Sequence, residues 1–158
     1  MLSNSFVKQE KKSGKKKLRF VIDSNEYIFA FGPLKDPASY KFLMKLLEAG
    51  RLNTVRIPRT IFEEVRRNVS HEAFREFIIF INLLTTVDED FMVPFELGLK
   101  YESMGLKPAD AFIAAYTEWV GADALVTENR HFLSRNPNLP FKVLNAESCL
   151  KLITASLQ

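Results

Sequence analysis

The chain has 158 residues, 47% of them apolar and 14 of them phenylalanine, which fits one globular domain with a sizeable core and excludes a disordered chain. No apolar run reaches the ~18–20 residues of a spanning helix, no apolar stretch follows the basic N-terminus as a secretory signal requires, and the single Cys149 allows neither a disulfide framework nor zinc-knuckle spacing; a cytoplasmic, reducing setting without membrane contact is expected. The net charge of +3 divides unevenly, because residues 1–19 carry +6 and the remainder −3.

Taken in chain order, the charge run "KKSGKKK" reads as part of a basic, disordered tail over residues 1–17, a segment type that contacts polyanions or merely solubilises. One domain then covers residues 18–158. "LRFVID" (18–23) is a short, buried, β-rich run. "DPASYKFLMKLLEAG" (36–50) has helical spacing in Tyr40, Leu43, Leu46 and Leu47, with Gly50 as its stop. "NTVRIP" (53–58) reads as a second strand ended by Pro58. "TIFEEVRRNVS" and "HEAFREFIIFINLL" follow as helices, with Thr60 and Ser70 as candidate caps. "TTVD" (85–88) suggests a third strand, and "FELGLKYESMG" (95–105) a short helix closed by Gly105. "KPADAFIAAYTEWVG" (107–121) carries the clearest helix signal, with Pro108 in its first turn and Gly121 at its end. "ALVT" (124–127) and "FKVLN" (141–145) read as strands and "AESCLKLITAS" as a closing helix. Strands alternating with helices predict an α/β domain, three layers deep (α/β/α), around a central, mostly parallel sheet.

The acids fall at the places where such a sheet exposes its ligand edge. Open parallel sheets bind ligands outside the carboxyl ends of their strands. Asp23 ends the first strand; Glu128 and Asn129 follow "ALVT"; Glu63 and Glu64 lie near the start of the helix after "NTVRIP"; Asp110 lies in the first turn of its helix. Taken singly, each has an ordinary structural role as a turn residue, a cap or a complement to a helix dipole. Taken together they need relief, since like charges a few ångströms apart cannot all stay ionised. A hard divalent cation with oxygen ligands supplies it, so the pattern points to Mg²⁺ or Mn²⁺ and to phosphoryl chemistry. His71 and His131 are too isolated to suggest zinc, the "VDED" acids (87–90) read as loop residues, and Phe74, Phe77 and Phe80 read as core or interface.

Three stretches, "FVIDSNEYIF", "IPRTIFEEV" and "LKPADAFIAAYTEWVGADALVTENRHF", occur in an order and spacing that resembles the PIN domain, the fold of VapC-type toxins and related ribonucleases. The resemblance spans roughly residues 18–145 and rests mainly on Asp110–Ala115 and Gly121–Phe132. It implies that Asp23 and Asp110 are metal-binding aspartates and that Glu64, which precedes Val65, is the site glutamate, with Glu63 facing solvent. Thr127 and Asn129 match the family's corner after the fourth strand, where many members carry Asp in place of Asn129; Glu128 is a candidate to compensate. Ser24 and Asn25 are expected to orient Asp23. The resemblance implies Mg²⁺- or Mn²⁺-dependent cleavage of RNA, as the toxin half of a toxin–antitoxin pair, with an antitoxin protein and a homodimer as expected partners. Lys15, Lys16, Lys17, Arg66, Arg67 and Arg130 are the expected RNA contacts. The competing reading is a non-catalytic RNA-binding module with a weakened metal site. A haloacid-dehalogenase-like reading needs Asp at position 25, which is Asn, and neither standard Gly-rich phosphate loop is present. A response-regulator-like reading lacks the early acidic pair and a suitable late Lys.

Overall fold

The computed structural model describes residues 17–49, 54–129 and 138–156. Along the chain these form β1 (Phe20–Ile22), α1 (Ser24–Phe31), α2 (Pro37–Ala49), β2 (Val55–Pro58), α3 (Arg59–Asn68), α4 (His71–Leu84), β3 (Val87–Asp88), a single 3₁₀ turn (Asp90–Met92), α5 (Phe95–Ser103), α6 (Pro108–Trp119), β4 (Ala124–Val126), β5 (Lys142–Leu144) and α7 (Ala146–Ser156). The five strands make one sheet in the order β3-β2-β1-β4-β5, and every pairing is parallel. Val21 stands opposite Arg56 on one side and Leu125 on the other.

β1 is central and flanked on both edges, and each of its residues is fully buried. A strand covered on both faces needs an unbroken apolar run, which "FVI" is. Helices cover both faces. α1 packs on α2, α3 and α4, and α2 packs on α7; α5 and α6 pack on each other, and α6 also meets β4. The core joins the strand residues to an aromatic cluster in which Tyr27 and Phe31 meet the edges of Phe77 and Phe80. Phe77 and Phe80 are therefore core, and Phe74 packs beside them on Phe62 and Phe77. No helix among the described residues is long and apolar enough to cross a membrane.

α4 and α7 span 71–84 and 146–156, as their sequence pattern indicates, and Ser70 caps α4 by accepting the Ala73 N–H. Gly105 and Gly121 follow α5 and α6 with φ of 95° and 66°, a left-handed conformation that glycine adopts without a Cβ penalty. Thr60 is not a cap. α3 begins one residue earlier at Arg59, and its N-cap, Pro58, has no side chain able to accept a bond. The Asp90 carboxylate serves from across the sheet edge, accepting the Thr60 N–H at 3.1 Å and bonding the Thr60 hydroxyl. The acids of "VDED" are thus structural: Asp88 holds Arg56 at 2.8 Å and Tyr116 Oη at 2.6 Å, and Glu89 pairs with Arg59 at 2.7 Å. In α2 the buried stripe is Ser39, Phe42, Leu43 and Leu46, one position out of phase with Tyr40, which is exposed. The expected stop at Gly50, the start of the second strand at Asn53, and Lys15, Lys16, Arg130 and His131 lie outside the described residues.

Candidate functional site

Asp23 occupies the step between the central strand and α1. Its N–H continues the sheet ladder to the Val126 carbonyl at 2.9 Å, and its side chain caps α1. Oδ1 accepts the Ser24 N–H at 2.8 Å and Oδ2 accepts the Thr127 hydroxyl at 2.9 Å. The Thr127 hydroxyl oxygen in turn accepts the Asn129 N–H at 3.0 Å. The corner after β4 is therefore hydrogen-bonded to the corner after β1, which adjacent parallel strands bring to the same edge. Ser24 and Thr127 are both buried, and Asn25 is exposed.

Burial is the largest influence on Asp23 and pushes its carboxyl above the usual carboxylate range; the bonds from Thr127 and Ser24 pull it back, and the charges of Glu64 and Asp110 push it up again. Glu64 comes from α3, the helix after β2, and Asp110 from the first turn of α6. Glu63 instead pairs with Arg66 on the same helix at 2.6 Å and is half-buried. Arg66, Arg67 and Lys17 are all exposed, and Arg66 is engaged in that pair. Glu128 accepts the Ala146 N–H at 3.2 Å, so its carboxylate is engaged at the start of α7.

These donors are all oxygen, and the charges of Glu64 and Asp110 both act on the Asp23 carboxyl, a donor chemistry that suits a hard cation. The spacing is looser than a coordination shell: among the described residues no three His, Cys, Asp or Glu side chains are grouped closely enough to hold a metal ion. Glu64 and Asp110 influence Asp23 through their fields, not by contact.

Glu26 is the acid that the motifs do not single out. It lies in the first turn of α1 with no exposed surface, and its Oε2 accepts the Ser39 hydroxyl at 2.7 Å. Burial, the neighbouring Glu128 carboxyl and the Asp23 charge raise its pKa to about 8. The pattern Asp23-x-x-Glu26 has the spacing of a capping box, which signals both a helix start and a polar side chain there. The box does not close, because the Asp23 N–H is already bonded to Val126. Glu26 is left to face Ser39 and Glu128. Cys149 is buried nearby, and burial together with the Glu26 charge pushes its thiol up to about 12, so it is inert at neutral pH.

A second feature lies apart from the acids. Phe91, Phe95 and Leu99 are exposed and line an apolar cleft of about 560 Å³ between the 3₁₀ turn, α5 and the start of α6.

No family model and no curated protein matches the chain. Solved structures do. VapBC2 from Rickettsia felis, bound to a DNA fragment from its promoter, superposes with a TM-score of 0.58 at 19% identity, over 81% of this chain and 98% of that one. PAE2754 from Pyrobaculum aerophilum superposes with a TM-score of 0.60 at 18% identity, over 88% of this chain and 91% of that one. At these identities the similarity is one of fold.

Proposed function

From the PIN-domain fold that this chain shares with those structures, we propose that it is a metal-dependent endoribonuclease acting as the toxin of a toxin–antitoxin pair. One observation carries the reading. Asp23, fixed by Ser24 and Thr127 at the end of the central strand, lies in the combined field of Glu64 and Asp110, which come from two other elements of the same edge.

Asp23, Glu64 and Asp110 would hold Mg²⁺ or Mn²⁺, with the Asn129 carboxamide as a neutral fourth donor. Such a cation supplies charge neutralisation at the scissile phosphate and acidifies the attacking water. The chain's own residues do the rest. Thr127 bonds Oδ2 of Asp23, and the Ser24 N–H and hydroxyl both bond Oδ1, which fixes the rotamer and leaves Oδ2 with a further lone pair for the edge. Arg67 and Lys17 offer exposed positive charge to the phosphate backbone, which otherwise meets a net acidic body. The exposed apolar surface at Phe91, Phe95 and Leu99 supports a protein partner, since patches of this kind mark interaction sites. The partner proposed is an antitoxin chain, the role that the VapBC2 neighbour's name suggests.

The test is cleavage of a single-stranded RNA with Mg²⁺ or Mn²⁺ present or chelated, for the wild type and Asp23→Asn. Cleavage that needs both the metal and Asp23 supports the reading; cleavage that survives chelation or the substitution refutes it. The looser spacing of the acids and the uncharged Asn129 favour a second reading, a non-catalytic RNA-binding module. That reading predicts RNA binding by the wild type with no cleavage under any metal.

A further inference from the structure

The apolar cleft beside α5 is more specific in its demands than a bare apolar patch. Phe91 and Phe95 are 82% and 76% exposed, so two large aromatic side chains are left in water. Leu99 lines the same cleft from α5, and Pro108 from the first turn of α6. Among the described residues, the only charged side chains at its walls are Asp90 and Glu102, both acids. Asp90 is engaged with Thr60, whereas Glu102 is exposed and no cation among the described residues pairs with it. An RNA strand would bring phosphates against both carboxylates. The complementary occupant is a peptide segment with apolar anchors followed closely by positive charge.

The chain itself contains such a segment, outside the described residues. Residues 1–7 hold Met1, Leu2, Phe6 and Val7 and no charged side chain. Lys8, Lys11, Lys12, Lys15 and Lys16 follow, against Glu10 alone. The reach is sufficient. Lys17 stands ahead of β1, and the cleft lies past the end of β3, two strands away in the sheet. That separation is roughly 20 Å along the strands and about 10 Å across them. The stretch from Lys8 to Lys16 extends to about 30 Å, which leaves Met1 to Val7 for the cleft. Because the segment is tethered, its effective concentration is in the millimolar range, and a weak contact is enough to fill the cleft.

We propose that residues 1–7 of this chain dock in the cleft between the 3₁₀ turn, α5 and α6, with Phe6 and Val7 as anchors and the following lysines against Glu102. The segment covers in the free protein the surface assigned above to a protein partner, so a partner at that surface has to displace it. The docking itself does not rest on the nuclease reading, and its test uses neither RNA nor metal.

The experiment places a nitroxide on Ser3→Cys in the full chain. Cys149 is buried and its thiol is inert, so the label goes to position 3 alone. Paramagnetic broadening of backbone amides is read by NMR over residues 91–99 and 108–112, with β5 at the far edge of the sheet as reference. Amides at the cleft are expected to relax several-fold faster than those of β5. Phe6→Ser and Leu99→Glu are each expected to bring the cleft amides down to the level of β5, and Phe6→Leu to keep the effect. Glu102→Lys is expected to weaken it several-fold, because the lysines then meet a like charge. Broadening spread evenly over the surface or centred elsewhere overturns the proposal, as does broadening that persists in Phe6→Ser. An effect unchanged in Glu102→Lys overturns the role given to the lysines. Should Leu99→Glu fail to fold, Phe6→Ser still decides. A mixture of labelled chain with unlabelled, isotope-enriched chain tests the other occupant: broadening there as strong as within one chain assigns the cleft to the segment of a second copy and overturns docking within the chain.

Discussion

Replacing Thr127 by Val keeps the shape of a side chain that is 1% exposed and removes only its hydroxyl. Two bonds are lost: one donated to the Asp23 carboxylate at 2.9 Å and one accepted from the Asn129 N–H at 3.0 Å. A bond to a charged acceptor is worth ~1.5–3 kcal/mol and a neutral one ~1 kcal/mol, so the variant should be less stable by ~2–4 kcal/mol. For a chain of this size that lowers Tm by roughly 5–15 °C. The loss should depend on pH. Burial raises the folded pKa of Asp23 above its unfolded value, so its contribution is most favourable below the unfolded pKa and declines as pH rises through the folded one. The Thr127 bond lowers the folded pKa and blunts that decline; without it the decline is steeper. The gap in Tm between wild type and variant should be widest near about pH 7 and narrow toward about pH 4. Calorimetric melts at both pH values without metal measure it. Equal melting temperatures at neutral pH, or a gap independent of pH, would refute the coupling of Thr127 to an ionised Asp23.

Four further outcomes follow from the same structure. Asp110→Asn should nearly abolish RNA cleavage while leaving the metal-free Tm equal or higher, since it removes a charge that raises the energy of ionised Asp23; a marked loss of Tm would make Asp110 a structural cap. Asn129→Asp should tighten Mn²⁺ binding and lower the metal-free Tm by adding a like charge to the edge, both read by calorimetry; unchanged affinity would place position 129 outside the coordination shell. Tyr116→Phe removes the donor to Asp88 at 2.6 Å while Arg56 remains on that carboxylate, and should cost ~1–2 kcal/mol in a denaturant melt with cleavage unaltered. Deleting residues 1–16, which carry five lysines and one glutamate, should flatten the salt dependence of RNA binding without moving the cut site; an identical salt slope would reduce that segment to a solubilising extension.

Much of the fold was legible because the strands are short apolar runs and the helices carry clear stops. "FVI", "VRIP" and "ALV" could be little else, and Gly105 and Gly121 stand where a left-handed residue is required. α1 is hard to read from sequence because its residues beyond Glu26 are all apolar, so no polar face marks a period, although Asp23 offers a cap for it. Asp23 is both cap and site residue, and the two roles are one placement: the N-terminus of α1 steadies the charge that the edge presents. The positions of Asp23 at the end of the central strand and of Glu64 in the helix after β2 followed from topology. The partnerships of Glu26, Glu128 and Asp90 did not, because each reaches a residue at least 13 positions away that no local pattern marks. The acids of "VDED" looked like loop residues for the same reason: Arg56, Arg59 and Tyr116 become their neighbours only once β2, β3 and α6 are assembled.

The central claim is that Asp23, Glu64 and Asp110 form one cation site. Anomalous diffraction from crystals of the wild-type chain soaked in Mn²⁺ tests it most directly. The account predicts one strong peak within about 2.0–2.3 Å of a carboxylate oxygen of Asp23, with Glu64 and Asp110 drawn in around it and the peak gone in Asp23→Asn. A peak elsewhere on the protein, or an edge that stays empty while Mn²⁺ is present at saturating concentration, would contradict it.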